Sequence, residues 1–208
     1  MRTRIKVCGI TRCEDALAAA EAGVDAIGLV FYPPSPRYVE LAQAVEIAAC
    51  VPPFVTTVGL FVNADAESIA EVVDRVGIDL IQFHGNECPD HCAGHGRPWI
   101  RALRMKDDID PETEAARYAS ARGLLLDSYR PGVPGGTGAT FDWARIPAPL
   151  GGRIILAGGL TPDNVGQAVS RVRPWAVDVS GGVESAPGIK DKRLIARFVE
   201  AVRIVEES

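Results

Sequence analysis

Four groups of residues in this chain have the types and positions to do chemistry on one small anionic molecule. Cys8 ends the run KVC, just before Gly9. A thiol there can act as base or nucleophile if a cation favours its thiolate form. Lys6 lies on the same face by the period-two geometry of a strand and would lower the thiol pKa from about 8.5. The bland reading is a small buried hydrophobe, with Lys6 turned to another interior partner such as Asp178. Asp127 ends the apolar run GLLLD. A carboxyl buried there must be paired or do chemistry, and partial burial would raise its pKa toward general-acid work. Otherwise it caps a turn before Ser128. Arg37 stands in the proline-stiffened segment FYPPSPRYV. Its planar fork matches a carboxylate through two parallel hydrogen bonds; the alternative is an exposed, solubilising arginine. Last, AGGLT (157–161) and DVSGGVE (178–184) place Gly158, Gly159, Ser180, Gly181 and Gly182 after two late apolar runs. Glycine lets a backbone N–H approach an oxyanion closely, and helix starts favour anions. Alone, either loop reads equally well as a tight turn.

These residues need a scaffold, and the hydrophobic pattern supplies one. Short Ile/Val/Leu-rich runs are predicted as strands at 5–8, 26–31, 54–62, 80–83, 99–103, 123–127, 153–157 and 175–179. Helical patterns are predicted at 15–22, 41–50, 66–76, 111–121, 161–172 and 192–205, with a short irregular segment after the fourth strand and a weak helix at 141–146. The helix at 161–172 is expected to start on a Thr161 cap with a proline at its first position. A Gly-rich loop, 131–139, follows the sixth strand. Strands with little alternation are those buried on both faces, and strict βα alternation means parallel pairing with right-handed crossovers. Eight such units make an α/β fold, a single (β/α)8 TIM barrel with short loops covering residues 1–208. A doubly wound open sheet is the other architecture, but no Gly-rich fingerprint follows the first strand. In such barrels the site lies at the C-terminal ends of the strands, and phosphate is commonly held after strands seven and eight. Cys8, His84, Arg104, Asp127 and both glycine loops fall there.

Composition narrows the partners. The chain has 208 residues, 47% hydrophobic and 24% charged, with net charge −5. Without a basic stripe, nucleic acid is not an expected partner. No apolar stretch approaches the roughly 20 residues of a membrane span, and the N-terminal segment lacks the apolar region of a secretion signal. Five cysteines (Cys8, Cys13, Cys50, Cys88, Cys92), odd in number and irregularly spaced, read as a reduced, cytoplasmic protein. The segment HGNECPDHCAGHG (84–96) would set Cys88, His91, Cys92 and His95 on one face of a helix, a zinc-like spacing. Pro89 and the glycines argue for a ragged helix with coincidental ligands, and no metal is assigned.

Taken together, KVCGIT (6–11), GLVFYPPSPRYV (28–39), VGLFVN (58–63), IQFHGNE (81–87), LLLDS (124–128), GGTG (135–138) with FDW (141–143), AGGL with Asn164, and DVSGGVE resemble the phosphoribosylanthranilate isomerases of tryptophan biosynthesis along the whole chain. The resemblance implies an Amadori rearrangement of N-(5-phosphoribosyl)anthranilate. It implies Asp127 as general acid and Cys8 as general base. Arg37 would hold the anthranilate carboxylate and the glycine loops the phosphate, with Lys6, His84 and Asp178 in support. It implies no cofactor, because the substrate's own iminium is the electron sink, and a monomer or homodimer. One departure is Gly181 where the family usually has serine, which removes a hydroxyl donor from the phosphate loop. The competing readings are an aminoketose isomerase of histidine synthesis and an inactive phosphate-ligand sensor. The former family has an Asp in place of Cys8 and a longer chain. The intact Cys8, Asp127 and Arg37 argue against the latter.

Overall fold

The structure is a computed structural model describing residues 2–128 and 140–207. Eight strands, β1 (Arg4–Cys8), β2 (Ala26–Phe31), β3 (Thr56–Phe61), β4 (Leu80–Phe83), β5 (Trp99–Met105), β6 (Leu124–Ser128), β7 (Ile154–Leu156) and β8 (Ala176–Val179), pair in sequence order and close into a barrel. Every barrel pairing is parallel. The closing seam sets Lys6 of β1 beside Asp178 of β8. The expected (β/α)8 architecture is therefore present.

The strands are apolar throughout because both faces are buried. Ile100, Ala102, Leu125, Ile155, Ala157 and Ala176 fill the inside of the barrel. Cys8, Val30 and Leu60 form a separate small apolar group. Alternate residues such as Val7, Ile27, Leu29 and Ile81 belong instead to the main cluster beneath the helices. That layer is formed by α1 (Cys13–Ala22), α2 (Leu41–Cys50), α3 (Ala66–Val76), α4 (Pro89–Cys92), α5 (Pro111–Arg117), α6 (Val165–Val172) and α7 (Lys192–Glu207). Ile195, Phe198, Val199 and Val202 are almost fully buried from α7, each worth roughly 1.5–3 kcal/mol of burial.

Several boundaries differ from expectation, each for a local reason. β3 starts at Thr56, not at residue 54, because Phe54 after the Pro52-Pro53 pair takes φ 74° and is fully exposed. α5 stops at Arg117 because Tyr118 leaves helical geometry (φ −105°, ψ 42°), and its hydroxyl donates to the Glu87 carbonyl at 2.8 Å. α6 starts at Val165. Residues 161–164 form a closed turn in which Thr161 N–H donates to Asn164 Oδ1 and Asn164 Nδ2 donates to the Gly159 carbonyl. The regular helix thus starts later than expected, but Thr161 with its following proline does cap the entering turn: its Oγ1 accepts from Asp163 N–H at 3.3 Å and its carbonyl from Val165 N–H at 3.0 Å. In the sixth unit two 3-10 turns, Trp143–Arg145 and Ala148–Arg153, stand where a weak helix was expected. The Gly-rich loop 131–139, with the GGTG motif, lies outside the described residues. A small antiparallel hairpin, β9 (Glu184–Ala186) and β10 (Ile189–Lys190), follows β8 and was not anticipated.

The cysteine reading also needs correction. Cys13 at the start of α1 and Cys50 at the end of α2 form a disulfide, their Cα atoms 5.9 Å apart; Cys8, Cys88 and Cys92 are free. The five are therefore not all reduced. No helix among the described residues is long and apolar enough to cross a membrane.

Candidate active site

A cavity of about 550 Å³ opens at the C-terminal ends of the strands. Cys8, Arg37, His84, Asp127, Asp178 and both glycine loops line it together. Residues from β1, the loop after β2, β4, β6 and the ends of β7 and β8 thus meet at one mouth.

On the β1 side, the Lys6 ammonium and Asp178 carboxylate form a buried ion pair at 2.9 Å. Burial opposes the ammonium, but Asp178 and Cys8 together hold the Lys6 pKa above its ordinary value. Both sequence readings of Lys6 are therefore realised. It pairs with Asp178 and also stands beside the thiol. Gly28 of β2 makes room for this. A Cβ there would sit 2.7 Å from Cys8 Sγ and 3.2 Å from Lys6 Nζ. The expectation that Lys6 brings the Cys8 pKa down is corrected in its net sign. Burial, the largest influence, and Asp178 together raise the thiol pKa more than Lys6 and Lys190 lower it.

On the β6 side, Asp127 Oδ2 lies 3.3 Å from His84 Nε2. His84 Nδ1 is 3.0 Å from Gln82 Nε2, an amide nitrogen that can only donate. His84 thus bridges the Gln82 amide, through Nδ1, and the Asp127 carboxyl, through Nε2. Arg104 is the register neighbour of Asp127 on β5, and its guanidinium reaches the His84 carbonyl at 3.4 Å.

The two glycine loops come within contact of each other. A Cβ on Gly182 would lie 2.0 Å from the Leu160 carbonyl oxygen, and one on Gly158 would lie 2.2 Å from Ser128 N. Gly158 and Gly159 take φ of 80° and 67°. The left-handed φ of Gly158 and Gly159 fits a tight turn and Gly182 serves close approach to Leu160, yet this does not exhaust these loops. Among the described residues no acceptor is paired with the N–H groups of Gly159, Gly181 and Gly182. Unpaired N–H groups at the edge of a cavity suit an anion.

Arg37 is largely covered and held. Its Nε and Nη2 donate to the two carboxylate oxygens of Glu184 at 2.8 and 2.7 Å. Its stem packs over Gly9, where a Cβ would come 2.6 Å from Arg37 Cδ. The exposed-arginine reading is therefore wrong. Lys190 Nζ in turn lies 2.7 Å from Glu184 Oε1 and 3.4 Å from Ser180 Oγ.

Sequence reasoning missed Gly28, Gln82, Glu184 and Lys190. A glycine inside an apolar strand signals close approach and could have pointed to Gly28. Gln82 and Glu184 stood in the motifs IQFHGNE and DVSGGVE with no role attached to them, and Lys190 gave no local signal. The zinc-like spacing does not gather a site. α4 ends at Cys92, so His95 is off the helix, while His91 and His95 nitrogens contact the carbonyls of Ala64 and His91.

Comparison with known proteins points one way. The family model described as N-(5'phosphoribosyl)anthranilate (PRA) isomerase matches residues 5–201. An N-(5'-phosphoribosyl)anthranilate isomerase of Pseudomonas putida is 62% identical over 200 residues, covering 96% of this chain and 97% of that one. The crystal structure of phosphoribosyl anthranilate isomerase from Thermotoga maritima superposes with a TM-score of 0.85 at 40% identity, over 97% of this chain and 98% of that one. A phosphoribosyl anthranilate isomerase in complex with reduced 1-(o-carboxyphenylamino)-1-deoxyribulose 5-phosphate has a TM-score of 0.81 at 37% identity, with 97% and 98% covered.

Proposed function

The chain belongs to the N-(5'-phosphoribosyl)anthranilate isomerase family, and on that premise we propose how its residues divide the work. The enzyme is an isomerase of tryptophan biosynthesis. It converts N-(5-phosphoribosyl)anthranilate to 1-(2-carboxyphenylamino)-1-deoxyribulose 5-phosphate. Asp127 in its protonated form gives its proton to the furanose ring oxygen, and the ring opens to an iminium. His84, 3.3 Å away through Nε2, then stabilises the carboxylate left behind. Cys8 as thiolate removes the C2 proton of the sugar, and the enolamine tautomerises to the ketone. The iminium takes up the electron pair, so the reading invokes no metal or organic cofactor. Lys6 favours the thiolate, and Asp178 holds Lys6 in place.

Arg37 holds the anthranilate carboxylate at one end. The N–H groups of Gly159, Gly181 and Gly182, with Gly158 and Ser180 shaping the loops, hold the phosphate at the other. The serine hydroxyl usual at position 181 is absent, so backbone donors carry that contact. Residues 1–208 act as one catalytic domain, as a monomer or homodimer. The partner is a small phosphorylated substrate, with neither nucleic acid nor membrane.

The observation that carries this reading is that one cavity is lined at once by a thiol, a carboxyl, a guanidinium and the glycine loops. The test is the fluorescence decay of phosphoribosylanthranilate. Cys8→Ala and Asp127→Ala should each lower kcat by on the order of 10²-fold or more. Near-normal turnover in either variant removes that residue from its role. Tight binding without turnover in the wild type would favour a ligand sensor.

A further inference from the structure

Glu184 and Lys190 stand at the two ends of the β9–β10 hairpin and meet over Arg37. Glu184 takes the Nε/Nη2 edge of the guanidinium through both carboxylate oxygens. Among the described residues, no partner is paired with Nη1. An arginine closed on a carboxylate in this way is a neutral pair, and a neutral pair is a weak anchor for a second carboxylate. Lys190 changes the count. Its ammonium is fully buried, donates to Glu184 Oε1 at 2.7 Å, and rests on Ser180 O and Oγ at 3.3 and 3.4 Å. The nearby carboxylate of Asp15, which accepts from the Lys190 backbone N–H, is already closed by Arg12. Arg37, Glu184 and Lys190 therefore sum to one positive charge. Arg37 and Glu184 line the cavity while Lys190 lies behind them.

We propose that Glu184 and Lys190 are positioning residues that set specificity for a carboxylated aromatic ring. Glu184 fixes one edge of the guanidinium and leaves the other edge for the ligand, and Lys190 cancels the charge of Glu184 so that Arg37 keeps its attraction for an anion. The inference rests on the reading that Arg37 takes the carboxylate.

The test measures Kd by calorimetry for two probes on the full chain. One is the reduced product, 1-(2-carboxyphenylamino)-1-deoxyribitol 5-phosphate; the other is the same compound without the ring carboxyl. Their ratio reads the carboxylate alone, so general loosening of the site cancels. Lys190→Met makes the trio neutral and should shrink the ratio on the order of tenfold. Lys190→Arg should keep it. Glu184→Gln combined with Lys190→Met restores a single positive charge, carried by Arg37 at the cavity wall, and leaves no buried carboxylate or ammonium behind it. The ratio should return to within about threefold of wild type. If Lys190→Met does not fold, this double variant still decides. A ratio collapsed to that of Arg37→Ala overturns the inference. So does an unchanged ratio in Lys190→Met while Arg37→Ala loses it, in which case the carboxylate reading survives. An unchanged ratio in Arg37→Ala overturns both.

Discussion

Replacing Gly182 by alanine should open the phosphate end without unfolding the barrel. An alanine Cβ would lie 2.0 Å from the Leu160 carbonyl oxygen, whereas a carbon–oxygen contact needs about 3.3 Å. The loops after β7 and β8 must then part by about 1.3 Å. A donor–acceptor distance of about 2.9 Å would stretch past 4 Å, beyond a useful hydrogen bond. With Gly181 and Gly182 both displaced, two charge-assisted bonds weaken, each worth about 1.5–3 kcal/mol. The loss is about 3–6 kcal/mol, or roughly 10²- to 10⁴-fold in kcat/KM. The assay is the phosphoribosylanthranilate fluorescence decay, with inorganic phosphate as competitive inhibitor, which should lose potency in parallel. Gly152→Ala is the control, since a Cβ there meets nothing within 4 Å. A folded Gly182→Ala enzyme with kcat/KM within about threefold of wild type would refute the reasoning.

The raised Cys8 pKa sets the sign of a pH effect. The base form accumulates as pH rises, so kcat/KM should climb with pH above neutrality. A flat profile between about pH 7 and 9 would show that thiol ionisation does not limit the reaction. The Cys13–Cys50 disulfide spans 37 residues, a loop whose closure is worth roughly 4 kcal/mol. Titration of the denatured chain without reductant should find three free thiols, and Cys13→Ser should lower the denaturant midpoint. Five free thiols would show that the pair is not oxidised in solution.

The eight strands were legible because each is a mainly apolar run, as a strand buried on both faces must be; even β7, at three residues, is Ile-Ile-Leu. The hairpin was not, since ESA and IK form no apolar run. Cys8, Asp127 and Arg37 stood out because a polar group closing an apolar run, or an arginine among prolines, is locally unusual. Glu184 was part of a motif, but its partner Arg37 lies 147 residues away. Its role comes from closure of the barrel, which local spacing cannot express. The disulfide was missed for a related reason. α1 and α2 pack side by side only once their strands pair, and cysteine spacing alone does not fix connectivity. The pKa of Cys8 was misjudged because Lys6 was visible in the sequence while the degree of burial was not.

The two buried ion pairs of the barrel wall carry a consequence for how the gene could be divided. A break between α4 and β5 gives one half with β1 to β4 and another with β5 to β8. Lys6–Asp178 spans one seam and Arg101–Glu87, at 2.7 Å, spans the other. Each half then has a lone cation on its leading strand and a lone anion on or just beyond its trailing strand, and each ion costs several kcal/mol if it stays buried and unpaired. Edges of opposite sign attract, while leading edge against leading edge repels. The arrangement directs half-barrels to join head to tail. Because both halves carry the same polarity, it specifies direction without specifying partner, and two copies of one half satisfy it as well as the native pair.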